Sequence, residues 1–107
     1  MSRPRAALAG LAAALALAGC GEPARLSPEA ERGRQVYLAQ CLTCHGPDPA
    51  QDGPLAPAIK GAARELLEAR IRDGAYPPGY RPKRPTKVMP PMPAVVADIG
   101  VLAEYLR

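Results

Sequence analysis

Cys41-Leu42-Thr43-Cys44-His45 is the stretch on which the reading of this chain turns. Two thiols two residues apart, with a histidine directly after the second, form the attachment pattern of c-type haem. Each residue type has a physical task in that pattern. The thiols can form thioether bonds to the two haem vinyl groups, and their spacing sets both sulfurs on one side of a single helical turn. His45 is then placed to ligate the iron through a ring nitrogen. The same cysteines also fit a thioredoxin-like redox pair, half of a zinc site or a structural disulfide. A redox pair expects a βαβ setting, and none is visible. A zinc site needs four ligands, and beyond the N-terminal segment the chain offers only Cys41, Cys44 and His45.

The composition agrees with a buried cofactor. The chain has 107 residues, no Phe, no Trp and four Tyr, so one small domain is expected, with a thin core of its own. A large, flat, apolar cofactor makes good that deficit. Fourteen prolines and ten glycines favour ordered loop over sheet. No internal repeat is apparent.

The N-terminus carries an export pattern. Arg3 and Arg5 precede an apolar run from Ala6 to Ala18, which is short for a membrane span and fits the apolar region of a signal peptide. The run ends in Leu17-Ala18-Gly19-Cys20. This resembles the lipobox of bacterial lipoproteins, in which the cysteine is lipidated and becomes the mature N-terminus. The resemblance implies a signal peptide over 1–19, a lipidated tether over 20–26 and a soluble domain over 27–107. Two or more acyl chains on Cys20 suffice for stable membrane anchoring. An Asp after the lipidated cysteine tends to hold lipoproteins in the inner membrane; Gly21 slightly favours the outer membrane where there is one.

Within the domain, Ser27-Pro28-Glu29 predicts a helix start: a good cap, a proline tolerated at the first position and an acid at the positive helix end. This helix is expected to reach about Cys41, with Val36, Tyr37, Leu38 and Ala39 supplying its buried stripe. A turn-rich stretch follows from His45 to Ile59, marked by Gly46-Pro47 and Gly53-Pro54. A second helix is expected over 61–72, ended by Gly74, with Glu65, Glu68, Arg70 and Arg72 facing solvent. Prolines at 77, 78, 82, 85, 90, 91 and 93 forbid regular helix over 75–93 and make that segment stiff. A last helix from Val95 or Asp98 to Leu106 turns Ile99, Leu102, Tyr105 and Leu106 inward. Gly100 lowers its propensity, so it must rely on packing.

His45 is the only histidine, so a second histidine ligand from the same molecule is excluded. Met89, Met92, Lys87, a tyrosine or an open position remain for the other side of the iron. Met89-Pro90-Pro91-Met92-Pro93 presents two thioethers in a proline-locked strip, a poor core element and a good ligand holder. Methionine opposite histidine raises the reduction potential and leaves no open coordination position.

Together these features resemble the small monohaem class I cytochromes c over nearly all of 27–107. The matching elements are Gly33 and Tyr37 in the first helix, Cys41-Leu42-Thr43-Cys44-His45-Gly46, Gly53-Pro54-Leu55, the Met-Pro strip, and Tyr105-Leu106 at the end. The resemblance implies an all-α cytochrome c fold of three to four short helices and proline-rich loops around one covalently attached haem c. It implies that Pro54 contributes the carbonyl that orients His45, and that the helices bearing Gly33 and Tyr105 cross. The spacing of Met89 from His45 and Tyr105 is similar to that in small bacterial members, which favours Met89 over Met92 as ligand.

The chain's net charge is +4, and without residues 1–19 the side chains total +2, twelve basic against ten acidic. Arg81, Lys83, Arg84 and Lys87 cluster before the methionines, a patch able to steer encounter with an acidic redox partner. No motif for nucleic acid is present. The expected function is single-electron transfer by a monomer with His/Met ligation, held by Cys20 on the periplasmic side of a bacterial membrane. It is not expected to be an enzyme. The alternatives are a haem c subunit of a larger periplasmic oxidoreductase and a gas-binding haem sensor.

Overall fold

The computed structural model describes residues 25–85 and 88–107, together with Ser2 and Gly10. Cys20 and Lys87 lie outside the described residues. Among the described residues the chain is helical, with no strand.

Helix α1 runs Pro28–Gln40. Ser27 is extended, and its hydroxyl accepts the Ala30 N–H at 3.1 Å. Pro28 fills the first position, where no N–H is needed, and Glu29 and Glu31 face the positive end of the helix dipole. The buried face is Ala30, Gly33 and Tyr37, so the stripe passes through Gly33. Val36 and Leu38 are half-buried and Ala39 is exposed. The short helix α2, Leu42–His45, follows after a break at Cys41 and carries Cys44 and His45.

Helix α3 is Arg64–Glu68, shorter than the expected 61–72. It opens into a wider π-helical turn at Ala69–Asp73, closed by Gly74 in the left-handed region at φ 64°. The described residues from there to Met92 are irregular. Pro77-Pro78-Gly79-Tyr80 forms a tight turn, with the Tyr80 N–H on the Pro77 carbonyl at 3.0 Å and Gly79 at φ 78°. Proline before glycine is the pairing such a turn needs. Tyr80 returns to stack on Tyr76, ring centroids 5.5 Å apart.

Pro93–Asp98 forms a 3₁₀ turn that leads into helix α4, Ile99–Leu106. Neither start has a capping side chain. Tertiary packing holds them instead, through buried Val95, Ile99, Leu102 and Leu106, which join Tyr37, Leu67 and Ile71 in one core. Tyr105 is half-buried, its ring centroid 5.6 Å from that of Tyr37.

The crossing of α1 and α4 depends on Gly33. A Cβ there would overlap the Val101 carbonyl oxygen, and would lie 2.6 Å from the Val101 carbonyl carbon and 2.8 Å from Tyr105 Cβ. Two of these three atoms are backbone, so the side chains cannot give way. Beside this crossing, Tyr37 is fully buried, and its hydroxyl donates to the Gly46 carbonyl at 2.7 Å. That bond ties α1 to the end of the Cys41–His45 segment. Burial pushes the Tyr37 phenol up to about 12, with the nearby Cys41 adding to the shift.

Gly33→Leu is expected to abolish folded protein. Gly33→Ala will lower stability by about 1–3 kcal/mol in denaturant unfolding, an overpacking loss that reverses the gain of up to ~1 kcal/mol usual for this change in a helix. Tyr37 also sets a pH dependence. Its ordinary value is 10 and its folded value about 12, so its contribution is complete below pH 10 and lost as pH rises through 12. The unfolding free energy of the wild type should therefore fall more steeply over that window than that of Tyr37→Phe.

Candidate functional site

A cavity of about 820 Å³ opens between α2, α3 and the Met strip, a size suited to a bound cofactor. Cys41, Cys44 and His45 line it, as do Met89 and Met92, over a floor that includes Leu67, Ile71, Val95 and Leu102. The sequence-distant thiols, imidazole and thioethers thus share one apolar chamber.

His45 is buried, and its Nδ1 lies 2.8 Å from the Pro57 carbonyl oxygen. A carbonyl can only accept, so Nδ1 carries the proton and donates. Nε2 is left with its lone pair, the form in which imidazole binds a metal. The partner is Pro57, three residues beyond the expected Pro54. The backbone explains the difference. Cys44's carbonyl accepts the N–H groups of Leu55 and Ala56 at 3.1 and 3.0 Å, and Gly53's N–H donates to the Ala56 carbonyl at 2.9 Å. These bonds fold Gly53–Ala56 into a turn against the Cys44 backbone, with Pro54 exposed and Pro57 half-buried. Gly53 is required there, since a Cβ would press on Cys44 and His45, 2.6 Å from His45 Cα. Further along, Pro49's carbonyl takes the N–H groups of Ile59 and Lys60, both at 2.8 Å, and the Asp52 carboxylate takes that of Ala58, also at 2.8 Å. The loop that offers the Pro57 carbonyl is therefore pinned on both sides.

Both cysteines are free and half-buried. Burial, with Cys44 nearby, pushes the Cys41 thiol up to about 11. A redox-active pair needs the opposite shift, toward thiolate at neutral pH. Among the described residues no group of three or more His, Cys, Asp or Glu could hold a metal ion, so the zinc alternative finds no ligand set there.

The two methionines are both half-buried and packed against the core. Met92 is fixed at the entry to the 3₁₀ turn: its N–H donates to the Ile71 carbonyl at 2.8 Å and its carbonyl accepts from Val95 at 2.9 Å. Met89 sits in the irregular strip, its carbonyl accepting from Arg70 Nη2 at 3.2 Å.

Arg70 corrects a sequence expectation. Placed with the solvent-facing charges, it is in fact 8% exposed and lines the cavity. Its Nη1 donates to the Gly74 carbonyl at 2.7 Å, and its guanidinium lies 4.3 Å from the Tyr76 ring centroid. None of the ion pairs among the described residues involves it. Its position three residues after Leu67 was the signal that could have placed it inside.

Of the basic cluster, Arg81 is exposed, Lys83 donates to the Ala58 carbonyl at 2.7 Å, and Arg84 lies 3.8 Å from Asp52. Lys83 and Arg84 line the cavity beside the exposed Leu55 and Val88.

A free imidazole nitrogen, two thiols, two thioethers and apolar walls fit a c-type haem and its iron. No helix among the described residues is long and apolar enough to cross a membrane. No curated protein and no solved structure matches the chain. The family model described as cytochrome C oxidase, cbb3-type, subunit III matches residues 28–106. That match begins at the first residue of α1 and ends at the last of α4, and the chain accordingly belongs to this family, as a small class I monohaem cytochrome c domain with covalently bound haem that serves electron transfer.

Proposed function

We propose that the protein is a one-electron carrier whose haem is held by Cys41 and Cys44 and ligated by His45 and Met89. The observation that carries this reading is the 2.8 Å contact of His45 Nδ1 with the Pro57 carbonyl, in a cavity that also receives both thiols and both methionines. When bound, the haem supplies the one-electron couple of its iron. The chain's own residues hold the geometry. Pro57 fixes the tautomer and rotation of His45. The apolar floor excludes water, and the prolines around Met89 limit its backbone movement. A site that moves little between oxidation states suits electron transfer, and no residue is needed for substrate chemistry.

Met89 is favoured over Met92 by its spacing from His45 and Tyr105, which is similar to that in small bacterial cytochromes c; both methionines line the cavity. Pro54 has no role in this account. Cys20 is proposed as the lipidated anchor that holds the domain at the periplasmic side of a membrane. Leu55 and Val88, flanked by Lys83 and Arg84, form an apolar and basic rim suited to brief contact with an acidic redox partner. The description of the matched family, an oxidase subunit, supports a second arrangement in which this domain is the haem c subunit of a larger oxidoreductase. A catalytic chain copurifying with the full-length protein would favour that arrangement.

Absorption spectra of protein matured with haem test the ligation. The wild type should show a ferric thioether-to-iron charge-transfer band and resist CO when reduced. Met89→Ala should lose the band and bind CO, whereas Met92→Ala should keep it. Ready CO binding by the wild type would contradict the carrier and favour a gas-binding sensor.

A further inference from the structure

Arg70 is a charged side chain in the wall of an apolar cavity, where an unpaired cation is costly unless its N–H groups are satisfied. Here its partners are neutral: the Gly74 carbonyl at 2.7 Å, the Met89 carbonyl at 3.2 Å and the face of Tyr76 at 4.3 Å. Two of these partners lie in sequence close to Arg70 and one lies 19 residues away, so the guanidinium spans the base of the 75–89 loop. The planar fork is what allows one side chain to donate in two directions while stacking on a ring. Tyr76 is itself held by stacking on Tyr80 across the Pro77–Tyr80 turn. The π-helical turn at Ala69–Asp73 and the left-handed Gly74 bring the Gly74 carbonyl round to Arg70.

We infer that Arg70 is a positioning residue for the distal methionine: it clamps the Met89 backbone and so sets how hard the Met89 thioether is to displace from the iron. This rests on the assignment of Met89 as ligand. The clamp acts through hydrogen bonds to carbonyl oxygens, and its charge alone does not suffice. Lysine at position 70 keeps the charge but has no fork, and glutamine keeps a donor without the charge.

The test is imidazole binding to the ferric holoprotein, because imidazole enters only where the methionine leaves. Arg70→Gln should bind imidazole about tenfold more tightly than wild type, equivalent to about 1.4 kcal/mol. Arg70→Lys should shift in the same direction by severalfold. Covalent haem content and helical circular dichroism should stay at wild-type levels in both. In the wild type, nitrogen-15 NMR should show slow rotation of the Arg70 guanidinium, a readout that needs no variant. Wild-type imidazole affinity in both variants overturns the clamp, even if their melting temperature falls, since that is a structural role only. Wild-type affinity in Arg70→Lys alone also overturns it, by showing that charge suffices. A freely rotating guanidinium in the wild type overturns it independently. A wild type without the thioether band overturns the ligation itself, a failure separable from the others.

Discussion

The hydrogen bond from His45 Nδ1 to the Pro57 carbonyl, at 2.8 Å, is the contact on which the site depends. It fixes which ring nitrogen carries the proton and leaves Nε2 with the lone pair that the proposed iron ligation requires. The bond exists because the loop after the haem motif is fastened to the motif's own backbone. Cys44's carbonyl takes two N–H groups from Leu55 and Ala56, and Gly53 lies too close to Cys44 and His45 for any side chain. Proline at position 57 limits the torsion of the segment that presents the carbonyl. Orientation of the imidazole is thus set by short-range backbone geometry and does not require a charged partner.

The second constraint is the scarcity of large side chains. With no Phe or Trp in the chain, the core is built from one fully buried tyrosine and a few aliphatic residues on α3, α4 and the turns beside them. Close approach of α1 and α4 at Gly33 makes that small core continuous. The cavity of about 820 Å³ adjoins that core, so an apolar cofactor bound there would complete the fold as well as provide its chemistry. Tyr37 joins the two roles: its ring packs in the core, and its hydroxyl secures the Gly46 carbonyl at the end of the haem motif.

Much of this was legible in the residues because it is local. The haem motif is a spacing of three side chains on one turn. The start of α1 is a cap that Ser27 makes with Ala30, and Gly74 ends the second helical segment in the conformation glycine favours. The α1–α4 crossing was legible only through family resemblance, since nothing near Gly33 in sequence announces Val101. The misassigned proline has a different cause. Pro54 and Pro57 stand three apart, each followed by a small or apolar residue, and only the Cys44 carbonyl's choice of donors decides which one faces His45. Arg70 was hidden by its charge: its partners are carbonyls from a loop up to 19 residues away, and composition carries no trace of them.

Because His45 is the only histidine, NMR of the reduced holoprotein, labelled with nitrogen-15 in histidine and carbon-13 in proline, reads the two ring nitrogens with no ambiguity of histidine assignment. The expected result is a protonated, slowly exchanging Nδ1 with hydrogen-bond coupling to the Pro57 carbonyl carbon, and an unprotonated Nε2 bound to iron. A protonated Nε2, or an Nδ1 proton that exchanges freely and shows no coupling to Pro57, would contradict it.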